Sequence, residues 1–515
     1  MRLLWIFLPL LLHSAQITLS WLEDKPRSRA KDYYIWRFLD QNITPAQAQR
    51  AIEMAKNVNY KIFFRYAKRI KDPDIEHIAS CLEMAPKELA KQDPSCVTAA
   101  ITPYKMTRLD RRQRVEVFKK IQNRALKERL KYLLPDDPFK ALKLQPKSYL
   151  DLFLSCGSGY RKKLDRYLQK EFLEGLAHSW KFKKMAKLAV LEDLPRLSYS
   201  LTLLDAKKLD AQSSFYIGLF AYKENLKNIA RAFFQNAYKK AYMQRDKDRA
   251  LFWLYKTTND PAYLQKLTTS WDLDIYTLLA FELKEKPFVN YIHIPTFAKR
   301  SDINLSDPFV WFDILQKQED PKLYKERFAY KNTMGAYANF LQKASHYRTH
   351  PFITPYEDFM DEKNLTKKAT LYALARQESR FIPGSISRSF ALGPMQFMPF
   401  LAKHYAKKQN ISPFDLDMMF DERVSVSMAK SHIDYLYTHL KHPLFVAYAY
   451  NGGIGYTRRK VLPLFEKYEP SLAMELVSYD EAREYGKKVL SNYYIYRKIM
   501  QQPIRLQELL GLLKR

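Results

Sequence analysis

The chain has 515 residues, 47% hydrophobic and 14% aromatic, which excludes a disordered or fibrous protein and supplies apolar material for two or more cores. A formal net charge of +31 points to an anionic partner. Only 12 glycines occur, five of them before residue 356, too few for a hairpin-rich β architecture over that stretch.

The N-terminus reads MRLLWIFLPLLLHSAQITLSW. Basic Arg2, an apolar run from Leu3 to Leu12 and then small and polar residues predict a signal peptide over 1–20, cut after Ala15 or Ser20. The run is short for a bilayer span, and no cysteine directly follows it to carry a lipid. A retained N-terminal anchor is the alternative reading. No nucleic-acid motif accompanies the charge, so an exported chain of this kind suits an extracytoplasmic anionic polymer rather than nucleic acid.

Cys81, Cys96 and Cys156 have no metal-ligand spacing. In an oxidising compartment Cys81 and Cys96 could close a short loop and leave Cys156 free; three buried thiols are the other possibility. His404, His432, His439 and His442 form no His-Glu-x-x-His pattern, which favours packing or surface roles.

From about residue 30 to 345, within a first domain placed at 21–350, the sequence repeats one texture, amphipathic segments of roughly 10–18 residues broken by short polar turns. SSFYIGLFAYKENLKNIARAFFQNAYKKAYMQ (213–244) is an example, and TTNDPAYLQKL (257–267) follows with Asn259 as candidate cap and Pro261 in a first helical turn. Serial helix pairs of this kind predict an irregular α-superhelix without a strict repeat. Pro351 and Pro355 in HPFITPYEDFM break the texture, so a second domain is placed at 351–515, where the other seven glycines lie.

In that second domain a helix opening near Asn364 or Thr366 runs through ATLYALA to RQESRF and stops before Pro383. Glu378 shares a face with Leu371, Leu374 and Ala375 and sits at the negative end of the helix dipole. An apolar wall and the dipole both raise a carboxyl pKa, as a general acid for glycosidic cleavage requires. A structural ion pair with Arg376 or Arg380 is the competing reading. SISRSFALGPMQFMP (385–399) then reads as a loop with Gly393, from which Met395 and Gln396 enter a short helix. HPLFVAYAYNGGIGYTRR (442–459) is an apolar helix begun by Pro443 and stopped at Gly452-Gly453, and YDEAREYGKKVLSNYYIYR (479–497) is an amphipathic helix with Glu481 in its first turn.

This ordered series over about 351–500 resembles the soluble lytic transglycosylases of bacterial cell walls. The resemblance implies an all-α protein, a helical superdomain followed by a lysozyme-like, mainly helical catalytic domain, acting in the periplasm on peptidoglycan glycan strands without metal or organic cofactor. It implies Glu378 as the sole catalytic acid/base, with Ser379 supporting its position. Gly393, Met395 and Gln396 match the family's sugar-lining loop, Tyr450 and Asn451 its Ala-Tyr-Asn element, and Glu481 a cleft glutamate. Phe390 stands where the family has a glycine, Pro394 where it has a leucine, and Gly452 and Ile454 where it has an alanine and a proline. Phe390 and Pro394 are expected to border the glycan groove.

Between Ser379 and Phe414 there is no Asp or Glu, whereas glycosidases commonly use two carboxylates. Folding could bring Glu481 or Asp415 near. The resemblance implies instead that the muramyl N-acetyl group assists and that the 6-hydroxyl closes a 1,6-anhydro ring, without water. A hydrolytic muramidase using the same acid and a non-catalytic wall-binding scaffold are the rival readings.

Overall fold

The computed structural model describes residues 16–135, 137, 146–317 and 320–513. Helices dominate it, as expected, and no described helix is long and apolar enough to cross a membrane. Residues 1–15, with most of the expected signal peptide, lie outside the described part. The residues just beyond are integrated into the fold: Leu22 of the Leu19–Glu23 helix is fully buried, and Gln41 Nε2 donates to Ile17 O.

Near the start, α1 (Arg29–Phe38) is capped by the Ser28 side chain, and α2 (Tyr60–Ile70) by Asn59. The long stretch that follows is a succession of helices, many packed on their neighbours in sequence. In its best-packed part α3 (Ala211–Lys223) lies on α4 (Lys227–Lys240), and α4 on α5 (Gln244–Thr258). Apolar side chains surround α3 on nearly every side because helices cover it on several faces. Asn259 ends α5 in the left-handed conformation (φ 56°), and Asp260 caps the Pro261–Leu267 helix, one residue later than the cap read from sequence. Cys81 and Cys96 form a disulfide between the Pro73–Glu83 and Pro94–Ala100 helices, and Cys156 is free and buried.

One short sheet interrupts the helices. β1 (Tyr291–Ile294) pairs in parallel with β2 (His350–Ile353), Tyr291 opposite His350 and Ile294 opposite Ile353. The proline-rich break at Pro351 is therefore a strand on the edge of a two-stranded ribbon, where a proline without an N–H is tolerated.

Beyond it, α6 (Leu365–Glu378) is capped by Asn364, whose side chain accepts from Lys367 N, and residues Ala369 to Ala375 are buried on all sides. α6 is covered by α7 (Glu422–Leu440), α8 (Pro443–Gly452) and the long α9 (Asp480–Ile499). His442 caps α8, and Gly453 (φ 84°) ends it. α8 and α9 approach closely because Gly486 has no Cβ; one there would lie 2.3 Å from the Tyr448 ring.

The two halves share a core. One apolar cluster runs from Leu22 and Tyr33 of the first helices, through Trp253, to Tyr372, Tyr448 and Tyr496 of the last. Buried charge also joins them. Glu475, with no exposed surface, accepts from Arg249 of α5 (Nε at 2.9 Å), from Lys487 of α9 at 3.1 Å and from the Tyr276 hydroxyl. A buried carboxylate is tolerable only with such a set of donors.

Candidate active site

Glu378 closes the last turn of α6, and Ser379 is its C-cap residue. Glu378 is half-buried as a residue, less buried than its sequence surroundings suggest. Loss of hydration pushes its pKa up to about 8, the nearby Glu481 charge adds to the rise, and a hydrogen bond from Tyr485 opposes it. That bond, Tyr485 Oη to Glu378 Oε1, is 2.6 Å long. Neither expected arginine pairs with Glu378: Arg376 donates to Asn492 Oδ1 at 2.6 Å and Arg380 to Asn339 Oδ1 at 2.7 Å. The ion-pair reading fails on this geometry.

The loop before residue 399 is shaped by its own hydrogen bonds. Leu392 and Phe397 form an antiparallel bridge around a tight turn, so Met395 and Gln396 lie in that turn and the helix starts only at Pro399. This corrects the short helix expected there. Gly393 (φ 76°) is obligatory, since a Cβ would fall 1.9 Å from Met419 O. Gln396 Nε2 donates to Ser385 O at 3.0 Å and Gly393 O at 2.7 Å, bracing the turn from within. Ser379 Oγ donates to Pro394 O at 2.8 Å, and Tyr450 Oη to Met395 O at 2.8 Å. The end of α6 and the end of α8 thus each hold one carbonyl of the same turn.

Glu481, exposed in the first turn of α9, accepts from Asn451 Nδ2 at 3.2 Å and from Tyr479 Oη at 2.8 Å. Asp415 lies in another setting, bound to Arg37 of α1 at 2.5 Å, so of the two candidate second carboxylates Glu481 is the one that acts on Glu378. Tyr485 was missed in sequence. Its position four residues after Glu481, on the same face of one helix, was the available signal.

Phe390 is not at a groove edge. It is 1% exposed, with its ring 5.9 Å from Tyr33 and 5.4 Å from Trp36, both on α1. Its φ of 60° explains why glycine suits this position, and the aromatic seat on α1 holds the strained conformation. Lys61 of α2 and Arg29 of α1 donate to the carbonyls of Ser389 (2.7 Å) and Ile386 (3.2 Å). The N-terminal helices therefore clamp the back of the loop. Pro394 is buried, fixed through its carbonyl by Ser379, and likewise does not form an open rim.

A carboxyl with a raised pKa on a half-buried residue, beside Tyr485 and Tyr450, has the properties that proton transfer requires. Residues 356–465 match the family model described as Transglycosylase SLT domain. This part of the chain is a transglycosylase SLT domain. The soluble lytic murein transglycosylase of Salmonella typhimurium is 30% identical over 132 residues, 25% of this chain and 20% of that protein. The Escherichia coli K12 protein of the same name is 30% identical over 130 residues, also 25% of this chain and 20% of that one. The alignments thus span 20% of the length of the curated relatives. The solved structure of an inactive mutant of lytic transglycosylase Slt from Pseudomonas aeruginosa superposes with a TM-score of 0.50 at 16% identity, covering 94% of this chain and 78% of that one. At that identity the likeness concerns the fold alone, and it runs over both halves of the chain.

Proposed function

We propose that the protein is a peptidoglycan lytic transglycosylase cleaving the β-1,4 bond between N-acetylmuramic acid and N-acetylglucosamine. The observation that carries this reading is Glu378: a carboxyl raised to about 8, on a half-buried residue in a matched SLT domain. Below that pH it holds the proton a general acid must donate. Glu378 protonates the glycosidic oxygen, the C1–O bond breaks, and its electron pair stays on the leaving sugar. The muramyl N-acetyl oxygen bonds to C1 meanwhile. Glu378, now a carboxylate, takes the proton of the 6-hydroxyl, O6 bonds to C1, and the N-acetyl oxygen is released. The 1,6-anhydromuramyl product contains no oxygen from water.

Tyr485 steadies the carboxylate between the two steps, because its hydrogen bond favours the ionised form. Tyr450, Ser379 and Gln396 hold the turn carrying Gly393 and Met395 as a wall for the sugar. Asn451 Oδ1, buried and without a hydrogen-bond partner among the described residues, offers an acceptor for a substrate N–H or O–H. Glu481, already engaged by Asn451 and Tyr479, supplies charge near the site.

Export to the periplasm belongs to this proposal. The Cys81–Cys96 disulfide fits an oxidising compartment. A cut after Ala15 would leave the Leu19–Glu23 helix whole, whereas a cut after Ser20 would sever it.

The test is digestion of purified sacculi by the wild type and by Glu378→Gln. The wild type releases soluble fragments whose muramyl ends resist borohydride reduction, and the variant releases none. Reducible ends would favour the hydrolytic muramidase, and no turnover by a folded wild type would favour the scaffold.

A further inference from the structure

A cavity of about 270 Å³ flanks α6 beside the site. Arg376 and Gln377 from the last turn of α6, and Arg380 just past it, form one wall. Lys488 and Asn492 of α9 form another. Lys488 follows Tyr485 by three residues, so the cavity wall begins about 4.5 Å along the α9 axis from the residue that touches Glu378.

The cavity is lined by three cations and no carboxylate. Among the described residues no ion pair involves Arg376, Arg380 or Lys488, although Asp272 and Glu484 act on Lys488 at longer range. Four other arginines with little exposed surface have carboxylate partners: Arg37 with Asp415, Arg161 with Glu192, Arg249 with Glu475 and Arg483 with Asp480. Arg376 instead uses neutral acceptors, Asn492 Oδ1 and Pro351 O, and lies 4.1 Å over the Phe352 ring. Burial, with repulsion from Arg380, pulls its pKa down to about 10, so it stays charged at neutral pH. Each guanidinium has five N–H donors, and neutral partners leave its charge uncompensated. Such a hollow suits an anion that brings its own negative charge.

We propose that this cavity is an anion site and that its occupant is a carboxylate of the peptide carried by the glycan. The proposal rests on the function given above for its choice of ligand. A peptide spans about 3.3–3.6 Å per residue, so a side chain of a few amino acids on a muramyl sugar at Glu378 reaches one helical turn away. Planar guanidinium forks match a carboxylate, and the amides of Gln342 and Gln377 match the peptide units around it.

The test uses the full chain, wild type and Arg380→Gln/Lys488→Gln, with two calorimetric probes: a wall tripeptide with free carboxylates and its carboxamide-capped form. The wild type binds the free acid, and capping or the double substitution weakens binding by at least about tenfold. In parallel, KM for peptide-bearing strands rises in the double variant, while kcat/KM on peptide-stripped strands stays the same. Equal binding of capped and free peptide, or an unaltered KM in the folded variant, overturns the proposal. Inorganic phosphate displacing the tripeptide with equal affinity would make this a small-anion site and overturn the peptide assignment. Lys488→Gln alone, at an exposed position, carries the same readouts if the double variant does not fold. Failure of the wild type to cut any glycan would sink the proposed activity, while the calorimetry still decides the anion site.

Discussion

Tyr485 of α9 and Glu378 of α6, 107 positions apart in the chain, meet through a 2.6 Å hydrogen bond from the phenol to the carboxyl. The bond opposes the rise that burial imposes on the carboxyl pKa. Tyr485→Phe removes it, and the acid becomes still harder to ionise. A hydrogen bond to a charged group contributes about 1.5–3 kcal/mol, so the alkaline limb of the pH–rate profile should move up by roughly 1–2 pH units. On the proposed mechanism the maximal rate should fall, because Glu378 then also acts as a base. A limb that stays in place would remove Tyr485 from the tuning of Glu378.

Glu378 also ties stability to pH. Its ordinary pKa of 4.5 rises to about 8 on folding, so the native state keeps a proton that the unfolded chain releases between these values. Stability contributed by the protonated form is complete below pH 4.5 and is lost as pH climbs through 8. Glu378→Gln removes that loss. The variant should match the wild type below pH 4.5 and exceed it by roughly 2–4 kcal/mol above pH 8 in denaturant unfolding. A gain confined to acid pH would reverse the sign of the argument.

Tyr450 acts through the loop. Its hydroxyl holds Met395 O, and Tyr450→Phe leaves that carbonyl without its donor. The cost should be about 0.5–1.5 kcal/mol in kcat/KM, with near-native thermal unfolding. Unchanged kinetics on glycan would show that the turn does not need the brace.

Glu475 binds the superhelix to α9 through Arg249, Tyr276 and Lys487. Glu475→Ala strands two buried cations and should cost roughly 3–5 kcal/mol in equilibrium unfolding. A loss below about 1 kcal/mol would mean that water replaces the carboxylate easily.

Local signals made much of this site legible in the sequence. The Asn364 cap, the apolar body of α6 and the break before Pro383 fixed where Glu378 would sit. The glycine stop placed the end of α8, and the first turn of α9 placed Glu481. Contacts between distant segments were not legible. Nothing local to Phe390 says that Tyr33 and Trp36 will enclose it, and four residues at 291–294 give too little alternation to reveal a partner at 350–353. The tight turn at 393–396 was hidden because Met and Gln read as helix formers, whereas bonds from Gln396, Ser379 and Tyr450 determine its shape.

On the proposed mechanism Glu378 alone serves as acid and then base, with the 6-hydroxyl of the substrate as nucleophile. Mass spectrometry of the products formed from glycan strands in ¹⁸O-labelled water tests it most directly. The wild type should form muramyl products lighter by one water than their hydrolytic counterparts and free of label, and Glu378→Gln should form none. Label at the muramyl C1 hydroxyl, or full turnover by Glu378→Gln, would contradict it.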